Sequence, residues 1–289
     1  MKKILISTSI CILSFVAFGG HVQFIAPPLK VKEPFSYFDF VKKYTKGLET
    51  ANSIQLNLKY FDNSFKTQKR MVEIYTESSS HYLKLAKQID QEIKLMQEKY
   101  RYVCPQLIND FEDTKIIFTT IPYPFDGRTF LRVPVINLYK IIDYSENRVF
   151  NLAIHELIHS LSLQINIPHT VVGAIYLEGM ATFVANEISG FSIDEFLEVE
   201  QKQIKLALDK LCEVNWKEDF DGLVSELFDG SDYEFKVPRM GYFIGQSLFL
   251  KLLEEKDQKE WCQIEFSDFQ DYYHQNIDSF QQQICGEMK

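Results

Sequence analysis

His155-Glu156-Leu157-Ile158-His159 is the stretch on which the reading of this chain turns. Four residues along an α-helix carry a side chain through slightly more than one turn, so the two imidazoles stack on one face about 6 Å apart along the axis. Glu156 lies roughly 100° round from His155, close enough to reach a water beside a bound ion without being placed as a ligand itself. From Val149 to Ile167, the residues Phe150, Leu152, Ala153, Ile154, Leu157, Ile158, Leu161, Leu163 and Ile165 make the expected helix apolar almost all round, the mark of a buried element. Two imidazoles and a carboxylate buried there without partners would be costly, whereas one divalent cation satisfies all three. The competing reading is a packed pair of core histidines.

A third ligand can be sought downstream. Eighteen residues separate His159 from Glu178, in Leu177-Glu178-Gly179-Met180-Ala181. Tyr176 to Glu187 reads as a second helix with Glu178 near its start, and Gly179 and Ala181 would let the two ligand helices approach closely. Two nitrogens and one carboxylate oxygen make three ligands of a tetrahedral zinc and leave the fourth position to solvent. On the competing reading, Glu178 is an exposed acid in a helical first turn, where the helix dipole favours negative charge.

With these residues in place, positions 147 to 188 resemble the gluzincin metallopeptidases, whose pattern is H-E-x-x-H followed 18 to 25 residues later by a ligand glutamate in an E-G-x-A context. The metzincin alternative needs a glycine and a third histidine where this chain has Ser162 and Ile165. The resemblance implies that His155, His159 and Glu178 hold one Zn2+ per chain and that Glu156 is the catalytic base. It also implies a zincin-like α+β fold, mainly helical, with a small sheet ahead of the zinc helix. The Glu-Gly-Met-Ala context is that of the aminopeptidase N type, and the shorter chain with a later Gly-Tyr-x-x-Gly segment is similar to small predicted zinc proteases of bacterial genomes. Aminopeptidases of that type carry a G-x-M-E-N strand motif that is missing here, which leaves exopeptidase specificity without support. Thermolysin-like members place an aspartate four residues after the ligand glutamate to orient a histidine; Thr182 stands there instead, a weaker partner, and Glu187 falls on the opposite helix face.

The expected activity is therefore hydrolysis of peptide bonds in a peptide or protein substrate, with a metal-activated water and Glu156 as general base. Two other classes fit the same residues, a zinc hydrolase acting on a non-peptide bond and an exported binding protein whose metal site is structural or vestigial. Such hydrolysis needs a donor to the developing oxyanion. Arg239 and Tyr242 are the candidates, because Pro238 and Gly241 would begin a helix running to about Glu255 with Tyr242 and Gly245 on one face. His169, in the loop after the zinc helix, is a more distant one.

Ahead of the zinc helix, 115–121 and 129–138 are β-rich runs joined by the turn-like 122–127. They predict a hairpin or adjacent strands. Pro134 cannot donate to a ladder, so its strand is expected at an edge, where an extended substrate could pair. Helix-like spacing marks Phe35 to Thr50, Phe65 to Tyr100 with breaks, Ile193 to Cys212, Glu218 to Leu227 and Phe266 to Ile284.

A 46% hydrophobic and 25% charged composition in 289 residues is that of a globular protein with a sizeable core. Met1-Lys2-Lys3 followed by apolar residues from Ile4 to Phe18 reads as a secretory signal, with Ala17-Phe18-Gly19 as the cleavage context. Residues 1–20 are thus a signal peptide or an N-terminal anchor, and 21–289 one body, with a helical N-terminal lobe (21–110), strands plus zinc-site helices (111–190) and a helical C-terminal lobe (191–289). Export to the periplasm or beyond is expected; retention of 4–20 would anchor the chain to a membrane. Loss of Lys2 and Lys3 takes the formal charge from −9 to −11, which argues against nucleic acid as a partner. The cysteines after the signal, Cys104, Cys212, Cys262 and Cys285, permit three pairings or none; a bridge from Cys262 to Cys285 across the last helix is the one singled out, though a core of this size does not require it.

Overall fold

A computed structural model describes residues 21–25, 65–120, 126–130, 132–161, 163, 166–168, 170–190, 240–256 and 260–286. Their elements are β1 (Val22–Ile25), α1 (Phe65–Tyr100), α2 (Leu107–Asp113), β2 (Ile116–Thr119), β3 (Gly127–Phe130), β4 (Val133–Asn137), α3 (Glu146–His159), α4 (Val171–Ser189), α5 (Met240–Glu255) and α6 (Phe266–Gly286), with a 3-10 turn at Trp261–Gln263. The protein is α+β and mainly helical. It divides into two compact units, one of residues 1–90 and 115–144, the other of 91–114 and 145–289. The helices expected at 35–50, 193–212 and 218–227, and the segment 1–20, lie outside the described residues.

The first unit holds the sheet, in the order β1-β2-β4-β3. β1 and β4 both run parallel to β2, and β3 is antiparallel to β4. This corrects two expectations. β4 is internal and not an edge, and Pro134 is tolerated there because it faces Thr129 of β3 and stands one residue before pairing with β2 begins at Val135. The expected run 129–138 is itself a hairpin, with Phe130 paired to Val133 and Arg132 in the left-handed region at φ 68°. A turn lacking Gly or Asn there gives no sequence signal.

α1 is one unbroken helix of 36 residues. The serine run 78–80 suggests a break, but neither Pro nor Gly occurs between 65 and 100, and each serine costs only about 0.5 kcal/mol relative to alanine. Ile74, Tyr82, Leu85, Ala86, Ile89, Ile93, Met96 and Tyr100 make its buried stripe at intervals of mostly three and four residues. Within the first unit, Tyr82 meets Phe118 of β2 with ring centroids 6.1 Å apart, and burial pushes its phenol up to about 12. Because the folded-state value lies above the unfolded one, the stabilisation is complete below pH 10 and disappears as the pH rises toward 12. Tyr82→Phe should therefore abolish an alkaline loss of about 2–3 kcal/mol, read as the urea midpoint at pH 9 and pH 12. An unchanged pH dependence would refute this.

In the second unit α4 is the central element, packed against α3, α5 and α6. Its apolar sequence is long enough to cross a membrane, but it is largely buried and serves as the core helix. Tyr176 shows why: its ring lies 5.3 Å from that of Phe269 and 6.2 Å from that of Phe249, and its hydroxyl donates to Ile264 O at 3.0 Å. Thr170 caps the start of α4 by accepting from the Gly173 amide at 3.0 Å, and Gly190 ends it in the left-handed conformation at φ 65°.

A disulfide joins Cys104 to Cys262, tying the segment between α1 and α2 to the turn before α6. This overturns the expected Cys262–Cys285 pairing, and Cys285 is disulfide-bonded as well. Cys262 stands ahead of α6 beside Trp261, whose ring meets Tyr100 edge-on at 5.4 Å. The bridge thus forms where α1 already packs.

Candidate metal centre

The site is built on the facing surfaces of α3 and α4, with α5 alongside. Ser145 caps α3 by accepting from the Arg148 amide at 3.3 Å, with Glu146 in the first turn. The helix ends at His159 and does not run on to Ile167. Ser160 closes it by donating from its hydroxyl to Leu157 O at 2.6 Å, and Leu161 N bonds Ile158 O at 3.1 Å, a tightened last turn. His159 therefore sits in the terminal turn, where carbonyls favour a positive neighbour.

Three of the expected site residues converge. His155 Nε2 lies 3.0 Å from His159 Nε2 and 3.1 Å from Glu178 Oε2, and His159 Nε2 is also 3.1 Å from Glu178 Oε2. The imidazole planes meet at 79°. A nearly equilateral triangle of two nitrogens and one carboxylate oxygen is what a tetrahedral zinc requires, since bonds of about 2.0–2.1 Å set its ligand atoms roughly 3.3 Å apart. The donor set and its spacing fit that ion. The side chain of His155 is 5% exposed, that of His159 15% and that of Glu178 26%, so His155 is the most deeply buried of the three.

Burial alone would push the Glu178 carboxyl up, but the neighbouring His159 and His155 outweigh it and hold that carboxyl well below the usual carboxylate range. Glu178 is in the second turn of α4 and not at its start, so its partners are the imidazoles and not the helix dipole. Glu156 is 6% exposed and its carboxylate is not one of the three converging groups. That position suits a base better than a ligand. Glu187 is exposed, on the far side of α4.

Tyr242 is brought to the site. It lies in the first turn of α5, and its ring centroid is 5.7 Å from that of His155. Arg239 and His169 lie outside the described residues. Gly179 acts between α4 and α5, not between the two ligand helices as expected, while Gly245 leaves room for a neighbouring helix: a Cβ on Gly179 would lie 2.6 Å from Gly245 Cα, and one on Gly245 2.7 Å from Gly179 Cα. The backbones touch, so Gly245→Ala should cost about 3 kcal/mol by prying α5 away, as a lower urea midpoint would show. A wild-type midpoint would contradict that packing.

Sequence reasoning missed the polar column beside the site. On α3, Asn151, His155 and His159 recur every four residues, as do Glu178, Thr182 and Asn186 on α4. Asn151 bonds Asn186, and His155 and His159 bond Glu178, so the two stripes face each other in opposite directions. This register sets Thr182 level with His155. His155 Nδ1 and Thr182 Oγ1 are both buried without hydrogen-bond partners, a donor and an acceptor on facing helices. The signal was in the four-residue spacing of buried amides, each easily read as an ordinary helix-surface residue. No family model, curated protein or solved structure matches the chain, so the meaning of this centre rests on its own geometry.

Proposed function

We propose that the chain is a zinc-dependent peptidase of gluzincin type with a zincin-like fold. The observation that carries the reading is the triangle of His155 Nε2, His159 Nε2 and Glu178 Oε2 with edges of 3.0–3.1 Å, flanked in sequence by a buried carboxylate that does not join it. A zinc ion held by these three residues would bring the pKa of water to about 7 and polarise a carbonyl. Glu156 takes the proton of the attacking water and passes it to the leaving amine. Tyr242 donates its hydroxyl to the developing oxyanion, a role shared with Arg239. For the His155 Nε2 lone pair to face an ion, the ring proton must sit on Nδ1, an atom that makes no hydrogen bond among the described residues.

Export is part of the proposal. The basic and apolar segment 1–20 would direct it, and the Cys104–Cys262 bridge suits an oxidising compartment. A peptide or protein is the substrate, and membrane attachment would follow only from retention of 4–20.

The test is elemental analysis of the purified protein, with turnover of a peptide library and a panel of small esters before and after chelation. Zinc at about one per chain with chelator-sensitive cleavage of peptides is expected. Turnover of esters alone would make it a hydrolase of another bond, and tightly held zinc with no turnover would make the centre structural.

A further inference from the structure

Away from the ligand triangle the three site helices are joined by amides. Asn151 Nδ2 of α3 donates to Asn186 Oδ1 of α4 at 2.9 Å and lies 3.0 Å from Ser189 Oγ, which itself donates to Ala185 O at 2.7 Å. Asn186 Nδ2 then donates to Gln246 Oε1 of α5 at 3.1 Å. Asn151 is 2% exposed and Asn186 8%. Their places are regular: Asn151 is one turn before His155, Asn186 two turns after Glu178 and Gln246 one turn after Tyr242.

Buried amides in an apolar helix junction contribute little net stability, because each bond replaces one to water. What they add is direction. The Gly179–Gly245 contact lets α5 approach α4 closely and Phe249 of α5 packs on Tyr176 of α4, but neither contact is directional as a hydrogen bond is. Turning α5 by one residue would swing Gln246 by about 100° and leave Asn186 Nδ2 buried without its acceptor. The same turn would carry Tyr242 away from His155.

We infer that Gln246, acting through Asn186, is a positioning residue that fixes Tyr242 against the ligand helices. The bond uses only the Gln246 oxygen as an acceptor. A glutamate can replace it and a methionine of similar length cannot. The kinetic part of the inference rests on the proposed peptidase reaction; the structural part does not.

The experiment compares Gln246→Glu and Gln246→Met in the full purified chain. The first reading is the nuclear Overhauser contact between the Tyr242 and His155 rings, whose centroids are 5.7 Å apart. It should persist in Gln246→Glu and be lost in Gln246→Met. On a peptide cleaved by the unmodified protein, Gln246→Met should lower kcat about tenfold with KM and zinc content unchanged, Gln246→Glu should match the wild type, and adding Gln246→Met to Tyr242→Phe should cause no further loss. Should Gln246→Met not fold, Gln246→Leu replaces it with the same expected readings. Equal behaviour of the Glu and Met variants, an intact ring contact in the Met variant, or an equal loss in the Tyr242→Phe background would overturn the inference. Absence of zinc-dependent cleavage by the unmodified protein would strike the peptidase reading alone, because the ring contact would still decide this one.

Discussion

Glu156→Gln is expected to keep its zinc and its fold while losing turnover by about 10²–10⁴-fold, the contribution of a well-placed general base. The exchange is isosteric, and at 6% exposure Glu156 has little room for any larger change. An amide oxygen can still accept a hydrogen bond but cannot carry a proton from water to the departing amine. Because the carboxylate stands outside the ligand triangle, removing its charge leaves the donor set of His155, His159 and Glu178 intact. Paired measurements of kcat and zinc content on the same preparation separate the two roles. A variant with wild-type kcat would remove Glu156 from the chemistry, and one that lost its metal would make it a ligand.

The second large effect is expected from the ligands themselves. His155→Ala or Glu178→Ala should take zinc from about one per chain to near none and abolish the thermal shift that added zinc produces. A ligand at a thousand times its Kd stabilises the fold by about 4 kcal/mol, so the loss should be plain in a melting curve with and without zinc. The pH dependence has a defined sign. Glu178 has a folded-state pKa below its unfolded one, so its pairing with His159 and His155 is present above the ordinary carboxylate range and lost only as pH falls through the depressed value. Zinc retained in Glu178→Ala would show that the carboxylate is not a ligand.

What could be read in the sequence was what is local. His155, Glu156 and His159 share one helical turn, and Glu178 follows on the next helix, so a short stretch with strong periodicity carries the triangle. The start of α5 was legible from Pro238 and Gly241, and with it the approach of Tyr242. Non-local choices were not. The order β1-β2-β4-β3 depends on which strands meet, and Val22–Ile25 is too short to announce itself. Four cysteines permit several pairings, and Cys104 lies 158 residues from its partner, a distance at which sequence spacing carries no information. Gly179 was recognised as a contact glycine, but its partner was misassigned because Gly245 belongs to a helix more than sixty residues away. The amides of Asn151, Asn186 and Gln246 became meaningful only when three helices were seen together.

The bridge between Cys104 and Cys262 also dictates when this molecule can become itself. Its two thiols stand 158 residues apart, so the lock cannot close until the whole of that stretch has been made. Closure therefore waits on distant parts of the chain and is not completed piece by piece from the front. A producing cell that keeps its thiols reduced would deliver the polypeptide with that clasp undone, whatever the quality of its metal supply.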